Sequence, residues 1–347
     1  MRPQWSFFKH PPYNRNRASM KNRAPRVGCG LIAAAALTTG LTFAQEWKPQ
    51  RNVEIVVTTS PGGSNDATAR ALERIFTAHK LVASSVTVVN KPGGGGGIAY
   101  AYVNQRPADG HTLLLASGTI LSATIMGQSQ VSYTDFRPII SLWNDYVLIG
   151  VNAGSPIKTG HDFAERLKKA PQSTTIGFAS AFGNHHHTAA GLLMKAIGGN
   201  ARDLKVVVFK GAAEAVPAVL GGHIDVVSTS AVNVQGHVAA GKIRLLGVAA
   251  PQRFGGALAN VPTWQEQGFD VVYGSWRAIM GPKGLSAAQA TYWENTVRQA
   301  TQTPEWKRDL ETNYWSSYVL TGAALRKALD NEYGDIKAVL SEIGLAK

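Results

Sequence analysis

The stretch Val53–Arg70, VEIVVTTSPGGSNDATAR, decides how the rest of the chain is read. Its first seven residues are β-branched or apolar apart from Glu54, as in a strand buried on both faces. Pro61-Gly62-Gly63 breaks the strand. Ala67, Ala71, Leu72, Ile75 and Phe76 then recur at helical spacing. Strand, glycine turn and helix in that order make half of a parallel β-α-β unit.

Working outward, the same alternation returns. Val86–Val89 is a strand, followed by Lys91-Pro92 and the glycines Gly93–Gly97. Ile98–Gln105 reads as helix, Pro107–Gly110 as a turn and Thr112–Ala116 as a strand. A second run follows. Strands are predicted at Tyr146–Val151, Thr175–Phe178, Lys205–Phe209, Ile224–Ser228 and Leu245–Ala249, enclosing helices at His161–Ala170, His186–Ile197 and Ala212–Leu220. Beyond 249 the chain reads as mostly helical, with Ser286, Thr303 and Thr321 as N-caps and Pro304 at a first helical position. These patterns predict an α/β protein of two lobes with a ligand cleft between them. Residues 45–146 form the first part of lobe 1, 147–248 form lobe 2, and 249–347 return to lobe 1 with C-terminal helices. Ligands of open α/β sheets settle outside the carboxyl ends of the strands, so the strand-to-helix loops carry the candidate site.

Charge is distributed unevenly along the 347 residues. There are 35 Lys+Arg against 22 Asp+Glu, a formal +13, which on a folded domain points toward nucleic acid. Residues 1–44, however, hold seven of the bases and no acid, leaving +6 on the remainder. Val27–Ala44, VGCGLIAAAALTTGLTFA, is apolar and ends in Thr42-Phe43-Ala44, which reads as a secretory signal peptide cleaved after Ala44. A membrane anchor is the alternative, but a span requires about 20 strongly apolar residues. Met20 would begin a signal peptide of more ordinary length, with Met1–Ser19 as an upstream extension. The one cysteine, Cys29, precedes the apolar core, so a lipoprotein anchor is not expected and the mature chain has no thiol. A soluble periplasmic protein without nucleic-acid partner is the expectation.

Enzyme signatures are missing from the sequence: no Gly-x-Ser-x-Gly elbow, no His-Glu-x-x-His, no phosphate-binding Gly-x-x-x-x-Gly-Lys-Ser/Thr. Gly94, Gly96 and Ala99 imitate a dinucleotide fingerprint, yet Lys91-Pro92 separates them from the strand and no acid ends a strand about 20 residues later. His185-His186-His187 suggests metal, but adjacent helical residues point in different directions and no carboxylate follows at i+4. No cofactor and no metal are expected. The loop Ser60–Arg70 is more informative. Glycines allow close backbone approach, and first-turn N–H groups with the positive end of a helix suit a carboxylate. Asp66 is either a cap or an orienting group for a bound anion. Ala179–His187 repeats the arrangement before a second-lobe helix, with Gly183, Asn184 and His185 as donors.

The order Pro61-Gly62-Gly63…Asp66…Ala69-Arg70, Val89-Asn90-Lys91-Pro92-Gly93-Gly94, Ala108-Asp109-Gly110-His111-Thr112-Leu113-Leu114 resembles the tripartite tricarboxylate transporter receptor family, the Bug family of periplasmic solute-binding proteins. Phe209-Lys210-Gly211, Gly221-Gly222-His223-Ile224-Asp225, Ala240-Gly241-Lys242-Ile243-Arg244, Val261-Pro262-Thr263 and Gly281-Pro282-Lys283-Gly284 continue the match over nearly all of Gln45–Lys347. The resemblance implies a two-lobe, type II-like Venus-flytrap receptor, monomeric and not an enzyme, that captures a di- or tricarboxylate such as citrate for a membrane permease. It also implies ligand loops at Pro61, Gly62, Gly63 and Asp66, and at Ser117, Gly118 and Thr119. The family's second-lobe hydroxyls fall on Asn184 and His185, with His187 taking its histidine. Where many relatives show Asp-Asn, this chain has Thr229-Ser230, a change expected to favour an anion and disfavour an amine-bearing ligand. Ser275-Trp276-Arg277 resembles the tricarboxylate branch. Arg277 is then either a bidentate carboxylate clamp or an interlobe ion pair. Two further readings stand beside this one: a cleft enzyme using Asp66 or His185 as acid–base, and a sensor receptor without a transport role.

Overall fold

The structure, a computed structural model, describes residues 47–179, 181–209 and 211–347. The signal peptide, the start at Met20 and Cys29 lie outside the described residues, as does Lys210 of the Phe209-Lys210-Gly211 motif.

The opening stretch forms β1 (Val53–Val57) and α1 (Ser64–Ala78). β1 lies between β2 (Val86–Asn90) and β3 (Thr112–Ser117), parallel to both. The apolar runs of β1 and β3, broken only by Glu54, have a simple cause. Ile55, Val57, Leu113 and Leu115 face one core with Phe76 and Trp293, while Val56, Leu114 and Ala116 face another with Trp276 and Leu329. Both sides of the sheet are covered, so polar residues have no face to occupy.

β4 (Phe136–Tyr146) extends this sheet, and after Val147 the chain enters the second sheet as β5 (Leu148–Asn152). The second sheet adds β6 (Thr175–Ala179), β7 (Lys205–Phe209), β8 (Val226–Thr229) and β9 (Ile243–Val248). The chain returns to the first sheet through β10 (Gly274–Pro282), and β11 (Ser316–Ser317) pairs at its edge. The orders are β11-β4-β10-β3-β1-β2 and β7-β6-β8-β5-β9. Each sheet thus has a parallel triplet followed by the strand that arrives from the other lobe, inserted antiparallel.

Two connections join the lobes, at Val147 and between Tyr273 and Gly274. They are stitched together by backbone hydrogen bonds Ala249 N–H to Val147 O (2.8 Å) and Tyr273 N–H to Ala249 O (2.8 Å). Trp264, Val271 and Tyr273 pack in the second core with Phe163 and Leu193, so the return to lobe 1 falls at Tyr273–Gly274 and not at 249 as expected.

Helices close both sheets: α2 (Gly97–Asn104), α3 (Thr119–Ile125), α4 (Gly160–Lys169), α5 (His185–Ala196), α6 (Ala212–Leu220), α7 (Ala231–Ala239), α8 (Ala287–Ala300), α9 (Pro304–Asn313) and α10 (Gly322–Glu342). Ser286 and Thr303 cap α8 and α9 with their side chains. Thr321 stands at the N-cap of α10 without such a bond. α10 carries Leu325, Leu329, Ile336 and Leu340 into the lobe 1 core, and its last residue reaches lobe 2. There the Glu342 carboxylate accepts from Lys195 (2.5 Å) and its carbonyl from Arg202 (2.8 Å).

The helices α3 and α7 and the short β11 have no counterpart in the sequence reading, and three longer strands depart from it. The strand expected at Tyr146–Val151 is two strands divided at Val147. β4 itself was hidden by Pro138, which normally demotes a strand. Its register shifts between Ile279 and Met280, beside the Met280–Pro138 pair, and a bulge tolerates the missing N–H. β10 lies inside the segment expected to be helical. All nine of its residues are buried, so it shows no alternation to mark it as a strand.

Candidate ligand-binding site

The site is built around Arg277, which is 5% exposed in the middle of β10. Its Nη1 donates to Ser275 O (3.0 Å), Ser275 Oγ (2.9 Å) and Trp276 O (3.1 Å), and Nη2 donates to Ser64 Oγ (3.0 Å) at the first residue of α1. The guanidinium lies over Trp143, 4.6 Å from the ring, and Trp143 stacks on Trp315 at 3.9 Å. These contacts lock the group in place. Nε is buried with no hydrogen-bond partner, and among the described residues no carboxylate pairs with it. Burial lowers Arg277 to about 10, with the Asp145 and Tyr100 charges opposing. It therefore remains a cation at neutral pH. Nε is thus a buried donor without an acceptor on an otherwise fixed cation.

Asp145, 2% exposed, is the last residue but one of β4 and lies directly across from Ser275. Its Oδ2 accepts from Ser230 Oγ at 2.5 Å, linking β4 to the residue that precedes α7 in lobe 2. Oδ1 is buried without a partner. Burial pushes its pKa up to about 6, against the Ser230 bond and the Arg277 charge.

His185 and His186 open α5 with ring centroids 4.0 Å apart. His185 Nε2 and His186 Nδ1 are buried without partners. Burial holds His185 well below its ordinary value, helped by His186 and Arg277, and it takes His186 to about 3 with Arg277 adding to the effect. Both rings are neutral at pH 7. His187 faces away, stacked on Phe178 at 5.2 Å, and its Nδ1 accepts from Gly183 N–H (3.0 Å). Among the described residues no group of three His, Cys, Asp or Glu could hold a metal ion.

The expected loops resolve into different roles. Asp66 is 3% exposed and fully engaged: Oδ2 accepts from Gly62 N–H (2.9 Å) and Arg70 Nε (3.0 Å), and Oδ1 accepts from Asn90 (3.0 Å). Burial alone would raise its pKa, but those hydrogen bonds hold it below the ordinary value. Asp66 thus shapes the turn Pro61-Gly62-Gly63, which is exposed, and has no free oxygen for acid–base work. Asn184 caps α5. Its Oδ1 accepts from His186 N–H (3.0 Å) and His187 N–H (3.1 Å), and Nδ2 donates to Ala179 O (2.6 Å), so its side chain is committed to the helix and not to a ligand.

Ser117 pairs with Arg277 across the sheet and donates to Thr119 Oγ1 (3.3 Å). The space that a Cβ on Gly118 would enter is bordered by Ser275 Oγ, Trp276 Nε1 and Glu332 Oε1. Thr229 Oγ1 accepts from Asn233 (3.2 Å). Gly183, at φ +72, backs onto Met126 at the end of α3, the close approach that a side chain would block.

Ser117 thus lies opposite Arg277 in the sheet, Ser230 holds Asp145, and His185 and Asp145 lie within electrostatic range of Arg277. Ser64, Asp145 and His186 belong to the same neighbourhood; the sequence reading marks His186 only as part of the histidine triplet, and it passes over Ser64, Asp145 and Glu332, whose Oε2 accepts from Trp276 Nε1 at 2.6 Å. Burial, with Asp335 adding to it, pushes Glu332 up to about 8 against that bond. A legible signal existed only for Asp145. It is the lone acid in the apolar run Ile139–Val151.

Two lobes joined at a two-strand waist, with unpaired polar groups converging beside it, define a solute-binding receptor of the periplasmic type. The chain belongs to the tripartite tricarboxylate transporter receptor family (TctC), the Bug family, whose description matches residues 69–345. It is 26% identical over 259 residues to BugT of Bordetella pertussis, covering 73% of this chain and 77% of that one. A TctC solute-binding protein from Polaromonas superposes with a TM-score of 0.69 at 26% identity, covering 85% of this chain and 99% of that one. R. palustris Rpa4515, solved with adipate, gives a TM-score of 0.74 at 24% identity over 86% and 99%, a likeness of fold. Members of this family are periplasmic receptors and not enzymes. Among the described residues no helix is long and apolar enough to cross a membrane.

Proposed function

We propose that this chain is exported by the signal peptide Met1–Ala44 and captures a small di- or tricarboxylate between its lobes, as a monomer, for a cognate membrane permease. What carries the reading is Arg277. A buried guanidinium without a carboxylate partner is costly, and the cost is relieved when an anion arrives. Charge-assisted bonds to a carboxylate contribute about 1.5–3 kcal/mol each. Of the acids nearby, Glu332, raised to about 8, is mostly uncharged at pH 7, and the one that stays charged there, Asp145 at about 6, forms no ion pair with Arg277. Binding with lobe closure suits this two-strand waist. The adipate in Rpa4515 is a carboxylate of the expected size class.

Intrinsic fluorescence tests the proposal, because Trp276 and Trp143 border Arg277. The mature protein is titrated with citrate, malate, glutamate, adipate and aromatic acids. Saturable quenching or enhancement with recovery of the unchanged acid is expected. No change in fluorescence or melting temperature across the panel would sink the carboxylate reading.

A further inference from the structure

Two unsatisfied atoms of opposite kind lie on either side of Ser275. Arg277 Nε is a donor without an acceptor, and Asp145 Oδ1 is an acceptor without a donor. Ser275 joins them: it accepts from Arg277 Nη1 through Oγ and sits across the strand pair from Asp145. The two charges lie within electrostatic range of one another, yet they form no ion pair. A carboxylate is acceptor-only when ionised, so its free oxygen calls for a donor from outside the protein. A bare dicarboxylate would answer Arg277 and leave Oδ1 orphaned.

We infer that Asp145 is a specificity-determining residue whose Oδ1 accepts a hydrogen bond from a hydroxyl or ammonium group carried next to the carboxylate that Arg277 holds. The inference rests on the carboxylate-receptor reading and sharpens it. It also revises the expectation drawn from Thr229-Ser230. The acid absent from that turn is supplied by β4, and Ser230 holds it in place through Oδ2. Fixing Oδ2 from the opposite lobe fixes the direction of Oδ1 as well. A site built to hydrogen-bond a substituent rejects analogues that lack it, because its buried polar atom is then left unpaired.

Calorimetric titration with matched acids tests this. Three series differ only at C2: propionate, lactate and alanine; succinate, malate and aspartate; glutarate, 2-hydroxyglutarate and glutamate. In whichever series binds, the substituted acids are expected to bind at least about tenfold tighter than the unsubstituted one. Comparison of the hydroxy and amino members tells which donor Asp145 takes. In Asp145→Leu the preference should collapse, whereas Asp145→Asn, whose amide oxygen still accepts, should lose it chiefly for the amino member, because the charge is removed. An unsubstituted acid that binds as tightly as its substituted partners overturns the inference and leaves the carboxylate reading standing. So does a preference that survives in Asp145→Leu. Failure of every acid of these series, and of citrate and adipate beside them, to bind overturns the carboxylate reading and the inference with it. The wild-type comparison decides even where either variant fails to fold.

Discussion

Replacing Arg277 by Met separates the group's binding role from its structural one. Met has a comparable length and packs well over Trp143, the ring that the guanidinium now covers at 4.6 Å. Binding loses the Nε edge, hence two charge-assisted hydrogen bonds of about 1.5–3 kcal/mol each, or roughly a hundredfold to ten-thousandfold in Kd. Stability moves differently. The variant gives up the bonds to Ser64, Ser275 and the Trp276 carbonyl, but it also removes a buried ion that forms no ion pair with a carboxylate. Those contributions oppose each other, and replacing buried ions by apolar groups of similar volume is often close to neutral. A change within about 2 kcal/mol is expected, or several degrees in melting temperature. Arg277→Lys should fall between, because a point charge cannot reproduce a planar fork. Calorimetry with the tightest acid of the panel and a thermal melt suffice. A folded Met variant with unchanged affinity refutes the reasoning. So does a drop of 15 °C or more with no larger effect on binding than on fold, which would make Arg277 a structural ion.

Three further outcomes follow from the same geometry. Asp66→Asn should destabilise the protein by about 1–3 kcal/mol at pH 7, since a buried carboxylate then no longer serves Gly62, Arg70 and Asn90. Its folded pKa lies below the unfolded 3.8, so its stabilisation is present above 3.8 and lost as pH falls through the folded value; the gap between variant and wild type in pH-dependent melts should close there. Glu332→Gln should raise stability at pH 8 but not at pH 4. The wild-type acid is raised from 4.5 to about 8, so stability relative to the Gln variant declines with rising pH between those values, and parallel melting curves would contradict this. Gly183→Ala places a Cβ against Met126 Sδ at a φ of +72 and should cost about 1–3 kcal/mol. In a denaturant titration, Met126→Ala should recover only the steric part.

Inside the parallel triplets β1 and β3 were legible because they are buried on both faces and therefore spell nearly continuous apolar runs such as Thr112–Ala116, while the half-exposed outer strands β2 and β7 were legible from their β-branched valines. Helix starts were legible where a cap chemistry exists, as at Ser286 and Thr303. β10 was not, because a strand wholly inside the protein that includes Trp, Arg and Ser shows neither alternation nor a uniform apolar run. The site divides in the same way. Arg277 stood out in the sequence as an isolated cation beside Trp276. The roles of Asp66 and Asn184 did not, because a polar residue at a helix start reads alike whether its hydrogen bonds end on backbone or on ligand. Asp145 becomes meaningful only through Ser230, which is 85 residues away in sequence. No local pattern can encode such a pair.

The most direct test of the central claim is to identify, by mass spectrometry of the protein released under denaturing conditions, the small molecule that accompanies it through purification from the periplasm. The account predicts a carboxylic acid, stoichiometric with the wild-type chain and absent from Arg277→Met. A bound molecule without a carboxylate, or the same acid retained in full by that variant, would contradict it.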